Sequence, residues 1–64
     1  MVTINGKAED VSGITLADYL ARAGYNPERV VVERNLSIIP RDCLGEVWIE
    51  EGDTIEILNF VGGG

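Results

Sequence analysis

The sequence predicts an α+β domain of two layers, a mixed sheet of four to five strands packed on one main helix. Three observations carry this. Val2-Thr3-Ile4 alternates with the period of a half-buried strand and runs into Asn5-Gly6, the strongest short signal for a two-residue hairpin. Leu16, Tyr19, Leu20 and Ala23 fall at i, i+3, i+4 and i+7, one apolar face of a helix. Residues 54–61, rich in Ile, Leu, Phe and Val, form the clearest strand pattern in the chain.

The first strand pairs with a return strand predicted over 7–11, which Ser12-Gly13 breaks. Thr15 is placed to cap a helix, with Asp18 three positions on. Asp18 is a weaker capping-box partner than Glu or Gln, but its charge suits a helix N-terminus. Gly24 is positioned to end the helix, and Asn26-Pro27 reinforces the break. Val30-Val31-Val32 is β-branched throughout and reads as a buried strand. Asn35 marks a turn, and a short strand over 36–39 stops at Pro40. Residues 42–48 are ambiguous, with a helical turn the favoured reading. Glu51-Gly52-Asp53 is a turn into the last strand. One helix crossing a sheet that begins with a hairpin is the β-grasp order, with the last strand expected beside the first and parallel to it.

Sixty-four residues make one domain. A chain this short buries only about 60% of the surface that its unfolded form exposes, which leaves little room for a deep substrate pocket. A formal charge of −6 argues against nucleic acid and against an anionic membrane, since both demand a basic footprint. It favours protein partners with basic docking faces. Cys43 is the only cysteine, so no disulfide forms within the chain. The opening residues do not resemble a signal peptide, and no apolar run reaches membrane-spanning length. The expectation is a cytoplasmic protein, monomeric when free. The chain has no histidine, which removes the commonest general base and zinc ligand and any Ser–His–Asp or Cys–His arrangement.

The glycines Gly62, Gly63 and Gly64 follow the last strand directly. Glycine lacks Cβ and lets the backbone approach other atoms closely. A flexible tail of bare backbone ending in a carboxylate has the shape needed to thread a narrow active site; the alternative is a frayed terminus. The expected division is a domain over 1–61 and a glycine tail over 62–64.

Other segments make the pattern more specific. Ile4-Asn5-Gly6-Lys7, the run Val30-Val31-Val32-Glu33-Arg34-Asn35 with Ile39-Pro40-Arg41, and Glu51-Gly52-Asp53-Thr54-Ile55-Glu56-Ile57 followed by Phe60-Val61-Gly62-Gly63-Gly64 together resemble the thiamine sulfur-carrier family, ThiS, within the ubiquitin-like β-grasp group that also holds the small subunits of molybdopterin synthase. The resemblance covers essentially the whole chain. It implies a carrier and not an enzyme: an adenylyltransferase uses ATP to adenylate the Gly64 carboxylate, a persulfide donor protein supplies sulfur, and a thiazole synthase receives it. No cofactor is bound by the carrier itself. A molybdopterin synthase small subunit is usually longer than this chain. Sulfur carriage for another pathway, or an interaction module whose glycines are incidental, are the remaining alternatives.

In the last strand Ile55 and Ile57 share the face expected to pack on the helix, while Glu56, Leu58 and Phe60 share the other. Leu58 and Phe60 are therefore candidates for partner docking close to the tail, unless a loop covers them. Cys43 reads as an inert, partly buried thiol, Trp48 as a core or rim aromatic, and Glu9-Asp10 as solvated surface. Glu46, Glu50, Glu51 and Asp53 lack the spacing of an oxygen-ligand metal loop, so no metal site is expected.

Overall fold

The computed structural model of the chain describes residues 1–60, and its elements follow the sequence order. They are β1 (Val2–Ile4), β2 (Lys7–Glu9), α1 (Leu16–Ala23), a 3-10 turn (Pro27–Arg29), β3 (Val30–Arg34), β4 (Ser37–Ile39), a second 3-10 turn (Arg41–Cys43) and β5 (Thr54–Asn59). The five strands form one sheet in the order β2-β1-β5-β3-β4. β1 and β5 are parallel, through Thr3↔Thr54 and Ile4↔Ile55, and the other neighbours are antiparallel.

Both hairpins obey the same local rule. A two-residue turn that matches the right-handed twist of its strands needs positive φ at both central residues. Asn5 (φ 51°) and Gly6 (φ 83°) meet it between β1 and β2. Asn35 (φ 51°) and Leu36 (φ 73°) meet it between β3 and β4, where Arg34 pairs directly with Ser37. Leu36 therefore belongs to the turn, not to the strand expected from residue 36, and it stands 93% exposed. The strand expected over 7–11 ends at Glu9 because β1, its only neighbour, is three residues long and Val2↔Glu9 is the last pair.

Helix α1 starts where Thr15 Oγ1 accepts the Asp18 N–H at 3.1 Å. Asp18 itself pairs with Arg22 one turn later, Nη2 to Oδ2 at 3.1 Å. Gly24 closes the helix in the left-handed region (φ 86°), and the Tyr25 N–H donates to the Leu20 carbonyl at 2.9 Å. This reversal corrects the expected apolar face. Ala23 is exposed, while Tyr25 and Ala17 pack against the core.

The core lies between α1 and one face of the sheet. Val2, Ile4, Val30, Val32, Ile55 and Ile57 meet Leu16, Tyr19 and Leu20 there, and Leu44 and Ile49 from the long β4–β5 connection close its end. That connection is not loose. The Leu16 N–H donates to the Val47 carbonyl, the Ile49 N–H to Ile14 and the Gly13 N–H to Ile49, so residues 47–49 run antiparallel beside residues 13–16. Trp48, alternating with buried Ile49, points outward and is exposed. Among the described residues no helix is long and apolar enough to cross a membrane.

Two stability outcomes follow. Ile55→Ala removes a fully buried side chain beneath the helix and should lower the unfolding free energy in urea by roughly 3 kcal/mol. Leu36→Gly relieves a left-handed leucine that buries almost nothing, and should raise it by about 0.5 kcal/mol.

Candidate functional site

β5 is the central strand, flanked by β1 and β3, and its alternation sorts its side chains cleanly. Ile55 and Ile57 are buried against the helix; Leu58 is 52% exposed and Phe60 is 56% exposed. No loop among the described residues buries them, so the side of the sheet away from α1 is an open face. Register sets its pattern. Val31 sits directly opposite Leu58, Glu33 opposite Glu56, and Ile38 of β4 opposite Glu33. Phe60 lies one residue past β5, and its N–H donates to the Arg29 carbonyl at 2.7 Å, which carries the β3–β5 pairing on toward the C-terminus. Val61, Gly62, Gly63 and Gly64 lie outside the described residues, as does the expected boundary between 61 and 62.

The start of β5 is held by Asp53, the last residue of the Glu51-Gly52-Asp53 turn. Only 7% of it is exposed. Its carboxylate accepts from Arg34 Nε at 2.8 Å, from Asn35 Nδ2 at 3.0 Å and from the Glu50 N–H at 2.9 Å. Asn35 Oδ1 in turn accepts the Thr54 N–H at 2.9 Å, and the Asp53 carbonyl accepts the Thr3 N–H at 2.9 Å. Three neighbours of β5 thus converge on one residue: β1, the β3–β4 turn and the preceding loop. Burial pushes the Asp53 carboxyl upward, but the Glu50 N–H, Arg34 and Asn35 together outweigh it and hold the group below its ordinary value. On the far side, Asn5 Oδ1 accepts the Ile57 N–H at 2.7 Å and extends the β1–β5 ladder.

The remaining candidates separate. Glu9 is not simply solvated: its carboxylate accepts the Tyr19 hydroxyl at 3.2–3.3 Å, tying β2 to α1. Burial, then the charge and hydrogen bond of Glu9, raise the Tyr19 pKa. Cys43 is a half-buried free thiol in the second 3-10 turn. The acids near the last turn go different ways, with Asp53 buried and Glu50 3.7 Å from Arg34. No group of three or more potential metal ligands assembles among the described residues. Among the described residues, one surface recess of about 180 Å³ is lined by apolar residues of β3 and β4, Pro40, Arg41 and Leu44; another, about 410 Å³, is a depression at Asn35, Leu36 and Thr54. Arg41 is the sole titratable residue lining either, and its guanidinium already donates to the Pro27 carbonyl at 2.9 Å. Neither recess offers an acid–base pair or a nucleophile with its base.

A five-stranded mixed sheet covered on one side by a single helix, with the last strand central and parallel to the first, defines a ubiquitin-like β-grasp domain. The ThiS family model matches residues 2–64, and the chain belongs to that family. It is 40% identical to the sulfur carrier protein ThiS of Bacillus subtilis, over all of both chains. It is 39% identical over 64 residues to a thiazole synthase of Magnetococcus marinus and 38% to one of Paramagnetospirillum magneticum; 98% of this chain is aligned in each, but it spans only 20% of their length. The crystal structure of the thiamine biosynthesis protein ThiS from Geobacter metallireducens superposes with a TM-score of 0.80 at 31% identity, covering 98% of this chain and 97% of that one.

The open face and the buried carboxylate respond differently to substitution. Leu58→Ser or Phe60→Ser should each leave unfolding free energy within about 1 kcal/mol of the parent, since both side chains stay half exposed. Asp53→Ala should cost roughly 3 kcal/mol, because it leaves Arg34, Asn35 and the Glu50 N–H without their acceptor. The Asp53 contribution is also pH-dependent. Its folded pKa is depressed, so the stabilisation is complete above the unfolded value of about 3.9 and is lost as pH falls through the folded value. Acid unfolding curves of the parent should therefore steepen below about pH 4 relative to those of Asp53→Asn.

Proposed function

We propose that the chain is a cytoplasmic sulfur carrier of thiamine biosynthesis, a co-substrate that partner enzymes act on. The observation that carries this reading is the ThiS family match across residues 2–64, joined to end-to-end similarity with a sulfur carrier protein. The fold supports it. β5, locked at its start by Asp53 and on both sides by neighbouring strands, leads out of the core toward the glycines past the exposed Leu58 and Phe60. That two thiazole synthases contain a segment similar to the chain supports a thiazole synthase as the sulfur acceptor.

The chemistry belongs to the terminal carboxyl of Gly64. An α-carboxyl has an unperturbed pKa of about 3.3–3.7 and is an ionised, poor electrophile at neutral pH. In an adenylyltransferase the Gly64 carboxylate attacks the α-phosphorus of ATP and pyrophosphate leaves. The terminal sulfur of a protein persulfide then attacks the acyl carbon and expels AMP. The resulting acyl disulfide is cleaved by a thiol, which is oxidised to a disulfide and leaves a thiocarboxylate on Gly64. The carrier contributes the acyl group, and the partners supply orientation and charge stabilisation. Gly62 and Gly63 let the backbone enter the partner's channel, and Leu58 and Phe60 dock beside it.

Intact-mass analysis after incubation with ATP, an adenylyltransferase and a persulfide donor tests this, with replacement of one terminal oxygen by sulfur as the expected product. Deletion of Gly63 and Gly64 should abolish activation while changing unfolding free energy by less than ~0.5 kcal/mol. Sulfur accepted by the truncated chain would show that the terminal carboxylate is not the carrier group. Gly63→Val, which adds a β-branched side chain and leaves the terminal carboxyl in place, should cut adenylation steeply with an unchanged melting curve. Full adenylation of that variant would mean that the channel does not demand bare backbone.

A further inference from the structure

The open face carries a feature that folding does not explain. Glu33 of β3 and Glu56 of β5 are direct cross-strand partners on the side away from the helix. Side chains so placed stand about 5 Å apart at Cβ, and like charges in that position destabilise a sheet. Neither carboxylate has an ion-pair or hydrogen-bond partner among the described residues. Three of the chain's own cations are committed elsewhere, Arg34 to Asp53, Arg22 to Asp18, and Arg41 to the Pro27 and Glu28 carbonyls. Arg29, beside Phe60 at the head of β3, lies two cross-strand rows from the pair and makes no ion pair with it. Lys7 lies on the edge strand β2. Two carboxylates without a third ligand are a poor metal site. The flanking surface is apolar, with Val31–Leu58 in the next cross-strand row, Phe60 beyond it, and Ile38 beside Glu33.

We propose that this face docks the adenylating partner through an arginine seated across the Glu33–Glu56 pair, with Val31, Leu58 and Phe60 covered by the apolar surface around it. A guanidinium presents five donors in a rigid fork and can bridge two neighbouring carboxylates, which a lysine ammonium does less well. The occupant is a protein because the apolar rows need covering as well as the charges. It is not a second copy of this chain, which would bring the same unpaired acids to the contact and a further formal charge of −6. The pair gives the docking its register along β5. The inference rests on the carrier reading above and adds the chemistry of the surface that the partner must present.

The experiment is calorimetric titration of the purified adenylyltransferase with the full chain, Glu33→Gln, Glu56→Gln, the double variant and Leu58→Ser, at low and high salt. Each Gln variant should bind roughly tenfold more weakly at low salt, as expected for loss of a charge-assisted hydrogen bond. The double variant should lose most of the salt dependence, and all three should melt no lower than the parent. Parent-like affinity and salt dependence in the double variant overturns the proposal, and if Leu58→Ser still weakens binding the docking face itself stands. Failure of the parent chain to bind the adenylyltransferase overturns the carrier reading and this inference together. A Gln variant that melts well below the parent also overturns it, since the pair would then be structural.

Discussion

The arrangement of β5 depends on one buried carboxylate. Asp53 sits where the last strand enters the sheet, and it is the point at which β1, the β3–β4 turn and the preceding loop are tied together. A charge is costly to bury unless its lone pairs are satisfied. Here a guanidinium, a side-chain amide and a backbone N–H satisfy them, and no buried side-chain polar atom is left without a partner among the described residues. The cost of burial is offset by register: a slip of β5 by one residue would break these bonds and turn Ile55 and Ile57 outward. The central strand therefore has one position in the sheet.

The second constraint is size. One eight-residue helix can cover only one side of a five-stranded sheet. The other side stays open, and β5 and β3 display Leu58, Val31, Glu56 and Glu33 there because period-two alternation leaves no other place for them. The arrangement separates the two sides of the sheet: the helix side holds the fold, and the open side is left exposed. The near-neutral expected effect of substitutions there and the severe effect beneath the helix are two consequences of that division.

Much of the architecture is legible without coordinates. The Asn5-Gly6 turn, the Thr15 cap, the Gly24 stop and the alternation of the last strand are local signals, each set by the backbone preferences of a few adjacent residues. They place the elements to within a residue or two. The errors have local causes as well. Leu36 looks like a strand residue by propensity, but the two-residue hairpin takes it into the turn. Ala23 fits the helical period, but the chain reverses at Gly24 and Tyr25 fills the space. β2 is shorter than its sequence allows because its partner strand is short.

What the sequence by itself determined is the α+β order, the two faces of β5 and the family pattern, because periodicity and turn chemistry are short-range. It also placed Leu58 and Phe60 on the outward face. Only the tertiary structure decided which acid is buried and which are left facing each other. Asp53 and Glu56 are three residues apart in one stretch, yet Asp53 meets Arg34 and Asn35 across nineteen and eighteen residues while Glu56 is set against Glu33. Pairing at that separation is created by the register of β3 against β5, which depends on the packing of the whole core and leaves no mark in any local window.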